Sequence, residues 1–175
     1  MGLKYKFNQA QKIINDFDHE LLRGARDIGK EIQKAEEKLI LKGERLFFKC
    51  TTECQGLCCR NLYPDSIISL YDFLFILLMN PKLNATISKC LEKENIFYTS
   101  DCIFLKESQG PCIFPPDSMP EICITTFCNY ERSIEKEINF LKRKFMKLNW
   151  FLWLRKPRAL KNKVIKCFKR KECHL

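Results

Sequence analysis

Apolar residues recur at three- and four-residue steps near the start of the chain. Ala10, Ile14, Phe17, Leu21, Ile28 and Ala35 draw one stripe, widened by Ile13, Leu22, Ile32 and Leu39. That spacing is the mark of an amphipathic helix and predicts one long helix over 8–42. Gly24 and Gly29 weaken its middle, each by about 1 kcal/mol relative to alanine, and Gly43 is well placed to stop it. His19 lies beside the stripe and reads as a surface or interfacial residue, not a ligand, since no cysteine is within a few residues. The neighbouring Glu36 and Glu37 sit in a mixed-charge stretch and read as solvated helix surface.

The pattern changes after Phe47. Residues 62–68 read as a short extended piece broken by Pro64. Ser69 followed by Asp72 has the form of a helix N-cap with its acidic third position, opening a helix of about three turns that Asn80-Pro81 ends. A weaker helix is predicted over 83–95 and a short strand at Phe97-Tyr98-Thr99. Between Cys102 and Cys128 the chain carries Pro111, Pro115, Pro116 and Pro120, too many for a long regular element. Helical periodicity returns from Glu131, with Ile134, Ile138, Leu141, Phe145 and Leu148 on one face. The stretch 150–154 is apolar all round and flanked by Lys and Arg. The expectation is a small, mostly α protein with an irregular, loop-rich centre, the helices at either end packing on each other or on that centre. It divides into an N-terminal amphipathic helical region (1–46), a cysteine-rich region (47–130) and a basic C-terminal helical region (131–175).

Charge sharpens that last boundary. The formal net charge is +10, yet residues 131–175 hold 15 Lys and Arg against 4 acids, while the remaining 16 basic and 17 acidic residues nearly cancel. A tail of this kind attracts an anionic partner: nucleic acid, a lipid surface or an acidic protein face. The aromatic and basic stretch 150–158 suits insertion at a membrane interface, stacking on nucleic acid, or a contact with a partner helix or the core. The longest apolar run, 73–79, is far short of the ~20 residues that a membrane-spanning helix needs. The first residues show no secretory pattern, so a reducing cytoplasm is expected, where thiols stay free or bind metal.

Cysteine is the compositional outlier: 11 of 175 residues, against 2 histidines. Eight of the thiols fall in two groups, Cys50/Cys54/Cys58/Cys59 and Cys102/Cys112/Cys123/Cys128. Soft thiolates select zinc, iron or iron–sulfur clusters, and a proline-laced loop with little regular structure gains folding energy from a bound ion. The vicinal pair Cys58-Cys59 has diverging side chains, so the two serve neighbouring metals, or one ligates while the other packs or does redox chemistry. Cys90, Cys167 and Cys173 stand apart from the groups and read as small buried hydrophobes. No glycine-rich strand–turn–helix, phosphate loop or His-Glu-x-x-His motif is present, which leaves a nucleotide-dependent or histidine-zinc enzyme without its usual parts.

The run Phe48-Lys49-Cys50-Thr51-Thr52-Glu53-Cys54-Gln55-Gly56-Leu57-Cys58-Cys59-Arg60 resembles the signature of the YkgJ-like cysteine-cluster proteins. So does Asp101-Cys102-Ile103-Phe104-Leu105, followed by Gly110-Pro111-Cys112-Ile113-Phe114, then Pro120-Glu121-Ile122-Cys123 and Cys128. The resemblance covers roughly residues 47–130. That family is described as a zinc- or iron-chelating domain and includes flagellin lysine N-methylases. The resemblance implies a centre organised by zinc or iron ions, or an iron–sulfur cluster, bound by the thiolates of the two groups. Three functions follow: a metal-binding module, an iron–sulfur oxidoreductase or protein-modifying methylase, and a basic adaptor whose metal site is purely structural. Whether the chain is an enzyme stays open at this point.

Overall fold

A computed structural model describes residues 2–49, 59, 63–92, 102–106, 111–127 and 132–171, with side chains of the last helix as far as Arg155. In chain order the helices are α1 (Leu3–Asp16), α2 (His19–Lys42), α3 (Glu44–Phe48), α4 (Pro64–Ile67), α5 (Leu70–Met79), α6 (Leu83–Leu91), α7 (Glu121–Thr125) and α8 (Glu135–Lys171). A 3₁₀ turn, Arg132–Ile134, leads into α8. Among the described residues the chain is mostly helical, and its β pairing is an isolated antiparallel bridge between Leu105 and Cys112. The mostly α expectation therefore holds. No described helix is long and apolar enough to cross a membrane.

The first helix departs from expectation in two ways. It begins at Leu3, because Leu3 and Phe7 are buried and extend the stripe toward the start of the chain. It also breaks at Phe17-Asp18, so 8–42 is two helices and not one. Asp18 takes an extended conformation, and its carboxylate accepts the Leu21 N–H at 2.8 Å, capping α2. An unpaired amide at a new helix start is costly, and aspartate is among the best residues to satisfy it. The break turns α1 onto α5 while α2 lies along both α5 and α8. The apolar stripe continues across the break: Ala10, Phe17, Leu21, Ile28, Ile32, Ala35 and Leu39 are all buried.

Both helical glycines sit at close approaches. A Cβ on Gly24 would lie 2.7 Å from the Phe151 ring, and one on Gly29 would collide with Met79 Sδ. Their cost in helix propensity is offset by letting α8 and α5 approach. Gly43 caps α2 as expected, its N–H donating to the Leu39 carbonyl at 2.8 Å.

Helix α5 is the centre of the molecule. Residues 72–78 are buried on every side, which is why its sequence is apolar all round. Its start is the predicted capping box: Ser69 Oγ accepts the Asp72 N–H at 3.1 Å, and the Asp72 carboxylate accepts the Ser69 N–H at 2.8 Å. Pro64, expected to break an extended piece, instead opens α4 at its first turn, where a missing N–H costs nothing. Of the predicted helix at 83–95, Leu83–Leu91 forms α6 with Glu92 as its C-cap; residues 93–95 and the strand at Phe97-Tyr98-Thr99 lie outside the described residues.

The C-terminal face expected to be apolar is the buried face of α8: Ile138, Leu141, Phe145 and Leu148, joined by Ile134 before it and Leu152 after it. Along the antiparallel α2–α8 seam, Glu31 takes both Lys144 (2.8 Å) and Lys147 (2.7 Å), and Lys42 takes Glu137 (2.8 Å). The hydrogen bond from Lys144, then that from Lys147, holds the Glu31 carboxyl down at about 2.

Candidate metal centre

A line of aromatic rings leads from the helical core to the cysteines. Phe7 of α1 meets Phe73 of α5 edge-on at 5.4 Å between centroids. Phe73 meets Phe104 at 6.2 Å, and Phe104 meets Phe114 at 4.9 Å. Phe104 and Phe114 are buried anchors, and each lies two residues beyond a cysteine, Cys102 and Cys112. Their burial seats the cysteine-bearing loops on α5, where regular secondary structure is scarce.

Backbone pairing then ties Cys59, of the first cysteine group, to the described part of the second. The Cys102 N–H donates to the Cys59 carbonyl at 2.7 Å, joining the end of the first group to the start of the second. The 102–106 segment pairs with 111–113 through Ile113 N–H to Phe104 O (2.9 Å) and Lys106 N–H to Pro111 O (3.1 Å). Cys123 sits on α7, whose first turn follows Pro120. Its N–H donates to the Pro120 carbonyl at 3.0 Å.

A third tie comes from α5. The second oxygen of Asp72 accepts the Glu121 N–H at 2.8 Å, so the residue that caps α5 also holds the start of α7. Desolvation raises the Asp72 carboxyl above its ordinary value despite these hydrogen bonds, and burial raises Glu121 as well, with the charge of Asp72 adding to it.

The four described thiols of the two groups are half-buried and close enough to feel one another's charge. Burial pushes the Cys112 thiol up to about 11. The Phe114 amide draws it back in part, and the charges of Cys59 and Cys90 push it further. Cys123 is raised still more strongly, first by burial and then by Cys112, Cys102, Cys59 and Asp72. Thiols so placed cannot all ionise by themselves, whereas a divalent cation reverses the balance and favours every thiolate it touches.

Cys59, Cys102, Cys112 and Cys123 are thus in one neighbourhood. Cys50, Cys54, Cys58 and Cys128 lie outside the described residues. Among the described residues, no three His, Cys, Asp or Glu side chains meet as closely as a metal requires. The donor set is nevertheless the right one for zinc or iron: soft sulfur, half-buried, with a backbone amide directed at Cys112.

Two residues near the centre escape a reading by sequence spacing. Cys90, apparently isolated, stands on α6 within electrostatic reach of Cys112 and packs against the core. Asp72, recognisable only as a cap, bonds the Glu121 N–H and lies within electrostatic reach of Cys123. The separations of 22 and 49 residues hide both associations.

A correction concerns Glu36. It is fully buried, not solvated, and neither carboxylate oxygen has a hydrogen-bond partner among the described residues. It falls four residues after Ile32 and three before Leu39, on the apolar stripe itself. Glu37, one residue on, is exposed as expected.

Comparison with protein-family models, curated proteins and solved structures finds no match to this chain.

Proposed function

We propose that the protein binds zinc or iron through a cysteine cluster of the YkgJ-like type in a reducing cytoplasm. Cys59, Cys102, Cys112 and Cys123 would serve as ligands, together with Cys50, Cys54, Cys58 and Cys128. The observation that carries this reading is the Cys102–Cys59 backbone hydrogen bond. It ties Cys59 of the first group to Cys102 of the second, far along the chain, with Cys112 and Cys123 within electrostatic reach. The bound ion would neutralise thiolates that otherwise repel one another and would fold loops with little regular structure. The basic α8 supports a further part of the reading, an anionic partner for residues 131–175.

Metal analysis and the visible spectrum of protein purified without oxygen test the proposal. Tightly held zinc in colourless protein, or iron with a thiolate charge-transfer band, is the expected result. Inorganic sulfide found with the iron identifies a cluster. Cys59→Ser and Cys102→Ser are each expected to lower metal content and affinity by about tenfold or more. Protein that takes up neither metal, or variants that bind as well as the parent, would overturn the reading.

A further inference from the structure

Helix α8 has two apolar faces, and the core uses one. Beyond the buried line of Phe145, Leu148 and Leu152, a second ridge stands in solvent: Met146 and Trp150 are each 63% exposed, Trp153 56% and Leu154 48%. With 3.6 residues per turn the four fall within about 100° of arc, roughly on the opposite side from the core. The two indoles pack on each other, centroids 5.5 Å apart and planes tilted by 33°. Paired exposed tryptophans with aliphatic neighbours are an interaction surface and not a packing accident. The three-and-four spacing of the ridge runs on in sequence through Pro157, Leu160, Val164 and Phe168.

Charge says what covers it. Residues 138–171 contain thirteen Lys and Arg and no acid, and of these Lys144 and Lys147 are taken by Glu31. Lys142 and Arg143 border a shallow groove beside Met146. A second copy of the same face would bring like charges together. A helix that combines Trp and Leu on one side with dense Lys and Arg elsewhere, and is not apolar enough to span, lies in the plane of a bilayer interface.

We propose that α8 docks on an anionic lipid surface. The Met146–Trp150–Trp153–Leu154 ridge enters the headgroup boundary while the surrounding cations meet lipid phosphates and carboxylates. Single-stranded nucleic acid is the weaker candidate: the indoles face each other and so are not spaced as platforms for successive bases, and Met146 and Leu154 gain nothing beside a phosphodiester chain. The inference rests on the anionic-partner part of the reading above and is independent of its metal part.

Trp150 and Trp153 are the only two tryptophans in the chain, so indole emission reports on this ridge alone. The full-length protein is titrated with phosphatidylcholine vesicles, with and without phosphatidylserine, and in parallel with a single-stranded oligonucleotide. The expected result is a blue shift and quenching by brominated lipid only when phosphatidylserine is present. Co-sedimentation of Trp150→Gln/Trp153→Gln, with helix content unchanged by circular dichroism, is expected to weaken by about tenfold or more. Vesicle binding without a blue shift, or binding that survives the double variant, would overturn the role of the ridge. Oligonucleotide binding without vesicle binding would overturn the lipid assignment and leave an anionic partner standing. Binding to neither would end both.

Discussion

Glu36 shows how far one side chain can depart from the character of its neighbours. Its burial raises the carboxyl to about 9; the Met119 amide lies near enough to oppose this, while the charges of Asp117, Asp72 and Glu37 reinforce it. In the unfolded chain the same group titrates near 4.5. Between those two values the folded state keeps a proton that the unfolded state has released. Stability therefore falls as pH rises through that window, by up to about 1.4 kcal/mol per pH unit. Asp72, raised in the same direction by desolvation, adds to the fall. Glu36→Gln keeps the shape and removes the titration, so its urea midpoint is expected to vary less than the parent's between about pH 5 and 8. The variant should be the more stable of the two at the alkaline end. Parallel pH profiles for the two proteins would show that the Glu36 carboxyl is not held neutral by the fold. Nothing in the local composition marks Glu36 apart from Glu37. Its place on the 3.6-residue stripe does, and that position outweighs residue type when a helix is flanked on two sides.

At the scale of elements, legibility followed the range of the interaction. The Ser69–Asp72 box, the stop at Asn80 and the buried face of α8 are set within one or two turns, and all were readable from spacing. The break at Phe17-Asp18 was less visible, because the stripe continues across it and the local cap signal of Asp18 competes with a longer pattern. What spacing could not show is the second bond of Asp72, to the Glu121 N–H, since it depends on how α7 lies against α5. That bond gives a test. Ser69→Ala removes part of an N-cap and is expected to cost about 1 kcal/mol. Asp72→Ala also leaves the Glu121 amide without its acceptor, for a total of about 2–3 kcal/mol. Hydrogen exchange separates the two: the Glu121 amide is expected to lose protection in Asp72→Ala and to retain it in Ser69→Ala. Equal protection in both variants would mean that α7 is held by other contacts, and that Asp72 does not position Cys123.

Across the whole molecule the two terminal regions meet directly, α2 against α8, while α5 packs on α2 and is covered by α1. Their shared core includes Phe7, Phe75, Leu39 and Phe145, with Phe75 and Phe145 in edge contact at 5.2 Å. Cys90, Cys102 and Cys112 pack against that core without being among its fully buried residues. The loops carrying Cys102, Cys112 and Cys123 are different: they are seated by Phe104, Phe114 and Ile124, the Asp72 bond to the Glu121 N–H and a few backbone hydrogen bonds. The sequence therefore announced the two layers through unlike signals, periodicity for one and thiol density for the other. That Cys59 lies beside Cys102, Cys112 and Cys123 follows the expectation from thiol chemistry, and Cys90 packs on the core as expected, while its electrostatic reach to Cys112 leaves no mark on spacing. This division predicts the response to metal removal. Under the proposed function, a strong chelator applied in reductant should leave most of the far-ultraviolet helical signal, because apolar burial keeps the bundle folded without the ion. The reactivity of Cys59, Cys102, Cys112 and Cys123 toward a thiol reagent, read by mass spectrometry, should rise at the same time, and zinc or iron should restore protection. Loss of the whole helical signal on chelation would place the ion at the centre of the fold and contradict a bundle that stands by itself. Reactivity unchanged by chelation and by added metal would show instead that burial alone, and no bound ion, shields these thiols.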